Sequence, residues 1–301
     1  MKDNKIRATV FALAAQIIFG FSFMFTKIAL KTASPLVVIA DRYIIAFLGL
    51  TIVMIISGKK MSVGKNVWKL LGMSLFQPVL YFLFESYGIA KTTSSFSSVM
   101  ISLIPVVSMI SGMFVLKEIP SLLQYMFAAI SVGGVVIMSA AGHAEGTVTA
   151  SGVLLLFGAV LSSVGYNIAS RKISKEFTVF ERTYAMSVIG LFSFGVMAII
   201  ENIHNSGVIV SNFASLTYLL SILYLGVFSS VVAFLLLNYA NTYLPVAKTT
   251  VFSNITTVVS IIAGALFLNE RFTTVSLVGS AMIVLGVWGV QMLSVKSKKT
   301  Q

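Results

Sequence analysis

Long apolar stretches separated by short polar segments run from one end of the chain to the other. Each stretch approaches the roughly 20 apolar residues that a helix needs to cross the hydrocarbon core of a bilayer. Hydrocarbon offers the backbone no hydrogen-bond partners, so spans of this length are predicted to be helices. The pattern predicts ten spans, at residues 8–30, 36–57, 70–90, 94–116, 121–141, 151–170, 183–200, 216–238, 246–268 and 273–293.

The composition indicates that lipid, rather than water, surrounds most of the chain. Of the 301 residues, 57% are hydrophobic and only 10% are charged, whereas a soluble protein carries about 25% charged residues. The net charge of +12 therefore favours contacts with anionic lipid head groups over a nucleic-acid partner. The sequence contains no Cys, which excludes disulfides, thiol catalysis and thiolate metal sites.

The basic residues indicate how the spans are oriented. The apolar run that follows residues 1–7 is too long for a signal peptide, and we interpret it as the first permanent span. With the N-terminus in the cytoplasm, most of the 21 Lys and Arg residues fall in cytoplasmic loops, in agreement with the positive-inside rule. We therefore expect a multi-pass protein of the bacterial cytoplasmic membrane with both termini in the cytoplasm.

The two halves of the chain repeat several polar positions. Leu-Lys-Glu at 116–118 recurs as Leu-Asn-Glu at 268–270, and Asp-Arg at 41–42 matches Glu-Arg at 181–182. Chance alignment of apolar segments is the alternative, but it does not explain why charges recur at matching helix ends. Because five spans per half is an odd number, the halves would enter the membrane with opposite polarity, as in many secondary transporters.

With these features, the chain resembles members of the EamA family of the drug/metabolite transporter superfamily. The stretch Tyr-Ala-Asn-Thr-Tyr-Leu-Pro-Val-Ala-Lys at 239–248, followed by Phe-Ser-Asn at 252–254, is similar to the region of that family that joins helices 8 and 9. The resemblance covers residues of about 7–140 and 152–294. One position departs from it, because the mid-helix proline of the fourth helix, Pro105, has Thr257 as its counterpart in the ninth.

The resemblance implies both a fold and a function. The fold is an all-α integral membrane protein of ten transmembrane helices, built as two inverted five-helix repeats (7–141 and 151–294) around a central cavity. Helices 1, 3, 4, 6, 8 and 9 would surround the cavity, and helices 5 and 10 would be peripheral. Members of the family are mostly exporters or facilitators of amino acids and other metabolites.

Polar side chains within the spans indicate where a cavity would lie, because polar groups that face lipid are costly. Gln77, Tyr81 and Glu85 are spaced i, i+4, i+8 and share one face of the third span. Pro78 removes a helix hydrogen bond beside them. The alternative is that such side chains join neighbouring helices, since polar and small residues often serve that purpose in membranes.

The same reasoning, applied to every span, gives a set of candidate residues. The predicted cavity residues are Gln16, Gln77, Tyr81, Glu85, Ser98, Ser102, Tyr166, Asn167, Ser229, Lys248, Ser253, Asn254 and Thr257, and Pro78 and Pro105 are predicted to kink or gate their helices. Lys248 has two interpretations: it binds an anionic group of the substrate, or its side chain extends to the inner membrane surface.

The ionisable residues allow several roles. Glu85 is a candidate for binding a proton or a cationic group, and an ion pair with Lys27 or Arg42 is its alternative role. Asp41 and Arg42 are expected to neutralise nearby charges. The glutamates at 118 and 270 are expected to fix the turn into the following helix.

The leading hypothesis is therefore a secondary transporter that exports small polar or amphipathic metabolites by alternating access. A passive channel for small solutes and a proton-coupled exporter of cationic drugs are the alternatives. The sequence has no glycine-rich phosphate loop, no His-Glu-x-x-His and no nucleophile elbow, which argues against an enzyme. We expect a small-molecule substrate and the lipid bilayer as partners, a proton as the candidate coupling ion, and neither a cofactor nor a metal.

Overall fold

The computed structural model describes residues 2–58, 61, 66–116, 121–144, 147–203, 212–244, 249, 252–270 and 273–293. Apart from the connections and a short 3₁₀ turn at Asn212–Ala214, these residues form helices. The helices are α1 (Lys2–Ala29), α2 (Pro35–Ser57), α3 (Val67–Ala90), α4 (Ser94–Ile101, continued by Ile104–Leu116), α5 (Leu122–Ala144), α6 (Ala150–Ile173), α7 (Val179–Glu201), α8 (Leu216–Tyr243), α9 (Ser253–Phe267) and α10 (Thr274–Leu293).

The helices α1 to α8 are long and apolar enough to cross a membrane, which makes the chain a multi-pass membrane protein. The remaining apolar helices are shorter within the described residues, at Ser253–Phe267 and Thr274–Val290. A helix therefore lies within each stretch where the hydrophobic pattern predicts a span, and the described part of α9, with 15 residues, is shorter than a full crossing.

Hydroxyl side chains set the starts of several helices. The N-cap residues Ser34, Thr93, Thr149 and Ser215 each accept a hydrogen bond from the amide three residues later. At the start of α7, Thr178 and Glu181 form a reciprocal capping box. These bonds satisfy amides of the first turn that have no partner within the helix. They therefore help to fix the residue at which each of these helices begins.

Two helices are interrupted near their prolines. In α3, Gln77 leaves the helical conformation, with φ −148° and ψ 115°, because a residue that precedes proline is disfavoured in the α region. In α4, the first segment ends at Ile101 and the second begins at Ile104. Pro105 lies in the first turn of that second segment, where the missing amide costs little. Pro105 therefore begins a helical segment, whereas α3 is kinked beside Pro78.

The peripheral pair of helices consists of α5 and α10, which pack closely along their lengths. Gly134 lies against the carbonyl of Gly279, and Gly286 lies against Ser131 and Phe127. The contacts run in opposite directions along the two helices, so α5 and α10 are antiparallel. Small residues at these positions let the two backbones approach closely.

The second and seventh helices also cross in opposite directions. Tyr43 of α2 packs on Gly190 of α7, and one turn further along α2 the Phe47 ring lies 5.9 Å from the Tyr184 ring, centroid to centroid. Around this pair, α1 packs against α8 and α9, and α6 packs against α3 and α4. The cavity described below lies among these helices.

The outer surface of the bundle is apolar. Large exposed side chains such as Ile56, Leu154 and Phe192 cover it, as expected for a surface in contact with lipid. Polar side chains such as Arg182 and Asn238 are fully buried instead. The polar groups of the spans therefore face protein, and a subset of them faces a cavity.

Candidate functional site

A cavity of about 60 Å³ lies between the helices. Seven helices contribute to its wall, and α5 and α10 contribute none of the described lining residues. The lining residues are Gln16, Phe19, Ser22, Phe23, Arg42, Gln77, Tyr81, Phe82, Glu85, Ile101, Ile104, Ser163, Asn167, Phe234, Leu237, Thr249, Ser253 and Thr256. Polar groups and aromatic rings are thus combined in one enclosed space.

Six of the residues predicted from the sequence line this cavity: Gln16, Gln77, Tyr81, Glu85, Asn167 and Ser253. The carbonyl oxygen of the Gln16 side chain accepts a 2.6 Å hydrogen bond from the Thr256 hydroxyl. The side-chain oxygen of Asn167 accepts a 3.2 Å hydrogen bond from the side-chain amide of Asn241. The amide of Gln77 makes no hydrogen bond to any other described side chain, so it is available to a solute.

Ser98 and Thr257 do not line the cavity, because they join α4 to α9. Thr257 donates its hydroxyl to the carbonyl oxygen of Ser98 at 3.2 Å, and Ser260 donates to the carbonyl oxygen of Ser94 at 3.3 Å. Ser102 is not among the lining residues either, since its hydroxyl donates to the Val99 carbonyl oxygen within its own helix, at 2.7 Å. These hydroxyls serve helix packing, which the sequence left open as the alternative.

Tyr166 and Ser229 also lie between helices. The Tyr166 hydroxyl donates to the side-chain oxygen of Asn238 in α8 at 2.9 Å. The same Asn238 oxygen accepts from Ser170 at 2.8 Å, and Arg182 donates to the Ser170 hydroxyl at 2.8 Å. This network fastens α6 and α7 to α8. Ser229 accepts a hydrogen bond from Arg42 instead, and it therefore supports a residue of the cavity wall.

The last two predicted cavity residues are Asn254 and Lys248. Asn254 is half-buried at the start of α9 and is not among the lining residues. Its side-chain oxygen has no hydrogen-bond partner among the described residues. Lys248 lies outside the residues that the structure describes, as does the glutamate at 118.

Arg42 is the lining residue that the sequence analysis assigned to a different role. It lies in α2, is 3% exposed, and donates from Nε to Ser230 at 2.6 Å and from Nη2 to Ser229 at 2.8 Å. Its guanidinium carbon lies 4.1 Å from the centre of the Phe82 ring, a favourable cation–π contact. Arg42 is therefore held by α8 and Phe82, with its Nη1 group unbonded within the described residues.

Glu85 faces the same cavity from α3. Its Oε1 accepts a 2.9 Å hydrogen bond from the Tyr81 hydroxyl, and its Oε2 accepts none from a described residue. The ion pair between described residues is that of Lys69 with Glu176, and neither Arg42 nor Lys27 forms one with Glu85. The cavity thus holds a guanidinium and a carboxyl group that form no salt bridge with each other, although they interact electrostatically.

Two further charged residues, near the end of α3 and the start of α4, bind backbone groups. Lys27 of α1 donates to the carbonyl oxygens of Ile89, at 2.8 Å, and Thr92, at the end of α3. Glu270 accepts from the amides of Ser94 and Ser95, so it caps the start of α4. The sequence had instead predicted that this glutamate would fix the turn into the following helix.

The described residues contain no cluster of three His, Asp or Glu side chains that could hold a metal ion. The chemistry of the cavity is therefore that of its guanidinium, carboxylate, amide and hydroxyl groups. A sequence signal for Arg42 did exist, since its Asp-Arg pair is matched by Glu-Arg at 181–182. That signal marks a repeated position but does not reveal on which side of the helix the side chain lies.

Comparison with known proteins finds a matching family, similar transporters and a similar solved structure. The model of the EamA-like transporter family matches residues 6–140 and 150–292. The uncharacterized transporter YcxC of Bacillus subtilis is 34% identical over 293 residues, which cover 96% of this chain and 94% of that protein. An uncharacterized transporter of Archaeoglobus fulgidus is 26% identical, with coverage of 89% and 93%. A solved crystal structure with 17% identity superimposes with a TM-score of 0.66 and covers 95% of this chain and 98% of its own, so it shares the fold.

Proposed function

The chain belongs to the EamA-like transporter family, and on that basis we propose that it is a secondary transporter that exports small amphipathic metabolites by alternating access. Amino acids are the first candidates. The observation that supports this substrate class is the presence of a basic residue, Arg42, and an acidic residue, Glu85, on the wall of one cavity without a salt bridge between them.

The two charges suit a zwitterion. A guanidinium binds a carboxylate through parallel N–H donors, and Arg42 keeps its Nη1 group unbonded within the described residues. The Oε2 atom of Glu85 is correspondingly available to an ammonium group. A solute that carries both charges would satisfy both residues, whereas a solute with one charge would leave the other residue uncompensated in a low-dielectric site.

The rest of the wall favours an apolar body on the substrate. Phe19, Phe82 and Phe234 form a group of edge-to-face rings, with centroids 5.2 Å apart for Phe19 and Phe234 and 6.2 Å apart for Phe82 and Phe234. Ile101, Ile104 and Leu237 complete this apolar part. Sugars and nucleosides would bury many hydroxyl groups there without partners, at a free-energy cost.

The cavity has to widen to admit such a solute. Its volume of about 60 Å³ holds a few water molecules, whereas sites for small molecules usually measure about 300–1,000 Å³. The interruptions at Gln77 in α3 and between Ile101 and Ile104 in α4 divide two wall helices into segments that can move separately. We interpret the structure as a contracted state of the transport cycle.

An inverted repeat, with halves at 7–141 and 151–294, would supply the alternating access. The antiparallel crossings of α2 with α7 and of α5 with α10 support it, because equivalent helices of inverted halves run in opposite directions. The caps at the ends of the third helices support it too: Lys27 of α1 binds carbonyl oxygens at the end of α3, and Arg171 of α6 binds those of Asn241 and Thr242 at the end of α8.

Departures from a regular α-helix agree with the same symmetry. They lie at Leu75–Leu80 in α3, where Gln77 leaves the helical conformation, and at Tyr224–Ala233 in α8, which is π-helical, and these are equivalent helices in the proposed halves. The distribution of Lys and Arg supports a location in the bacterial cytoplasmic membrane with both termini in the cytoplasm.

Counterflow in proteoliposomes tests the proposal. Vesicles loaded with unlabelled leucine or phenylalanine should take up the labelled amino acid transiently, which a passive channel would not do. Arg42→Gln and Glu85→Gln should each reduce this uptake about 10- to 100-fold, the equivalent of losing one charge-assisted hydrogen bond. Glu176→Gln, which removes an exposed carboxylate, is the matched control and should leave uptake unchanged.

An exporter of cationic drugs predicts a different outcome. In that case Glu85→Gln would abolish efflux of a cation such as ethidium, and Arg42→Gln would increase it by removing a repulsive charge. Loss of amino-acid counterflow in both variants, without gain of cation efflux in Arg42→Gln, would favour the zwitterion. Absence of counterflow for all amino acids in the wild type would refute the proposed substrate class.

A further inference from the structure

Asp41 is a buried acid outside the cavity wall. It lies in α2, is 1% exposed, and its Oδ2 accepts a 2.6 Å hydrogen bond from the Tyr218 hydroxyl of α8. Its other oxygen, Oδ1, is buried and has no hydrogen-bond partner in the described part of the chain. One half of this carboxyl group is therefore unsatisfied.

The surroundings of this pair are apolar. Tyr218 belongs to a cluster with Ala29, Val38, Ile222 and Leu225. Val38 precedes Asp41 by three residues and so lies on the same face of α2. Within the described residues, this cluster contains no cationic side chain, and Oδ1 has no hydrogen-bond partner there.

The nearby charged and titratable groups are engaged elsewhere. On α2 itself, Arg42 is bound to Ser229 and Ser230, and on α1, Lys27 is bound to backbone carbonyls. Glu85 on α3 accepts from Tyr81 and Glu201 on α7 accepts from Ser34. Tyr224 on α8 donates to the Ile18 carbonyl oxygen, and neither it nor Lys31 bonds to Asp41.

From this geometry we propose that Asp41 binds a proton and that this proton is the coupling ion of transport. An ionised carboxylate that is buried without a cation, and with one oxygen unpaired, is strongly unfavourable, whereas the neutral acid needs only hydrogen bonds. The step is a simple dissociation, in which the carboxylic acid of Asp41 gives a carboxylate and a proton that is released to water. The claim that this proton is the coupling ion of transport rests on the proposed function.

The position of Asp41 links the proton to the cavity. Asp41 and Arg42 are consecutive residues of α2, and both bind α8, through Tyr218 in one case and through Ser229 and Ser230 in the other. Separation of α2 from α8 would admit water to Asp41 and release Arg42 in a single movement. Proton loss and rearrangement of the substrate site therefore share one helix interface.

Infrared spectroscopy of the purified protein tests proton binding without a substrate. The difference spectrum of the wild type between acidic and alkaline pH should show the C=O stretching band of a protonated carboxylic acid, which shifts in D₂O. Glu85 is a second buried acid, so Asp41→Asn should remove one component of this band, and Glu85→Gln should retain that component. In Tyr218→Phe it should move to higher frequency, because the carbonyl loses its hydrogen bond, and this variant serves if Asp41→Asn does not fold. Absence of the band in the wild type, or a difference spectrum of Asp41→Asn identical to that of the wild type, would overturn the proposal.

Transport then separates this inference from the proposed function. In proteoliposomes that show leucine counterflow, Asp41→Asn should keep counterflow but lose accumulation driven by a pH gradient. Accumulation that remains at the wild-type level in Asp41→Asn would refute the coupling role and leave the transporter assignment intact. Absence of leucine counterflow in the wild type would instead count against the proposed substrate, while the infrared result would still decide whether Asp41 binds a proton.

Discussion

The carboxylate of Glu270 accepts a 2.7 Å hydrogen bond from the backbone amide of Ser94, and so joins the end of α9 to the first turn of α4. Ser95 contributes its amide, at 3.0 Å, and its hydroxyl to the same carboxylate. A negative charge is favourable at a helix N-terminus, where amides lack partners within the helix. Together with the bonds from Lys27 to the end of α3, this contact fastens the cavity helices to one another at one end.

Glu270→Ala should lower the free energy of unfolding by about 1–3 kcal/mol, because it leaves buried amides of Ser94 and Ser95 without an acceptor. Unfolding in detergent micelles, followed by circular dichroism, measures the change. Glu176→Ala is the control, since it removes an exposed ion pair with Lys69 that is worth at most about 1 kcal/mol. Equal effects of the two substitutions would contradict the proposed importance of the Glu270 cap.

Gly264 provides the space in which the Glu270 carboxylate lies. A Cβ atom at position 264 would be 2.5 Å from the Ser95 hydroxyl and 2.6 Å from Oε2 of Glu270. Gly264→Ala should therefore displace the cap and destabilise the fold by about 1–3 kcal/mol, the usual cost of overpacking. Gly195→Ala, in the interior of α7 with no atom within 4 Å of the added methyl group, should be neutral or stabilising, and the same unfolding assay compares the two.

Residues of the cavity wall and residues between helices should respond differently to substitution. Gln77→Leu should leave stability nearly unchanged, because its amide bonds to no described side chain, and should reduce leucine counterflow. Thr257→Val removes the bond to the Ser98 carbonyl oxygen and should cost about 0.6–2 kcal/mol of stability, with transport per folded molecule preserved. Loss of stability with transport preserved in Gln77→Leu, together with loss of transport with stability preserved in Thr257→Val, would contradict the roles assigned to the two residues.

The hydrophobic pattern was sufficient to locate the helices, since a membrane span has to be apolar and helical over a fixed length. It was less able to separate cavity residues from helix contacts. Ser98 and Thr257 lie on a helix interface, whereas Gln77 and Asn167 lie on the cavity wall, yet all are buried polar residues within predicted spans. Among the residues predicted from the sequence, the larger amide groups reached the cavity more often than the Ser and Thr hydroxyls, because a hydroxyl can bond to a carbonyl oxygen of an adjacent turn or helix.

The sequence assigned Arg42, together with Asp41, to the neutralisation of nearby charges, and did not predict that Arg42 would line the cavity. The long side chain instead extends across to α8 and the Phe82 ring, and Asp41 points to Tyr218. Consecutive residues of a helix point about 100° apart, so adjacency in sequence did not imply an ion pair.

Orientation in the membrane can be tested with single thiols, because the chain has no Cys of its own. Ser151 lies at the start of α6 and Lys175 lies two residues beyond its end, and both are exposed. Ser151→Cys should react with an impermeant maleimide in intact cells, and Lys175→Cys should react only after permeabilisation, since the C-terminal end of α6 is expected in the cytoplasm. The wild type is the unlabelled control. Reversed labelling would place both termini outside.

Alternating access requires α4 and α9 to separate at some stage, and their hydroxyl contacts offer a way to prevent it. The Ser94 and Ser260 hydroxyl oxygens lie 3.4 Å apart, so Ser94→Cys combined with Ser260→Cys should form a disulfide under mild oxidation. Oxidation should abolish leucine counterflow and reduction should restore it, while each single variant should be insensitive to the oxidant. Met138→Cys with Ser280→Cys, joined by a short thiol crosslinker across the peripheral α5–α10 pair, should leave counterflow intact. Undiminished counterflow in the oxidised α4–α9 variant would mean that these helices stay together throughout transport, because a covalent bond cannot open on the time scale of a conformational cycle.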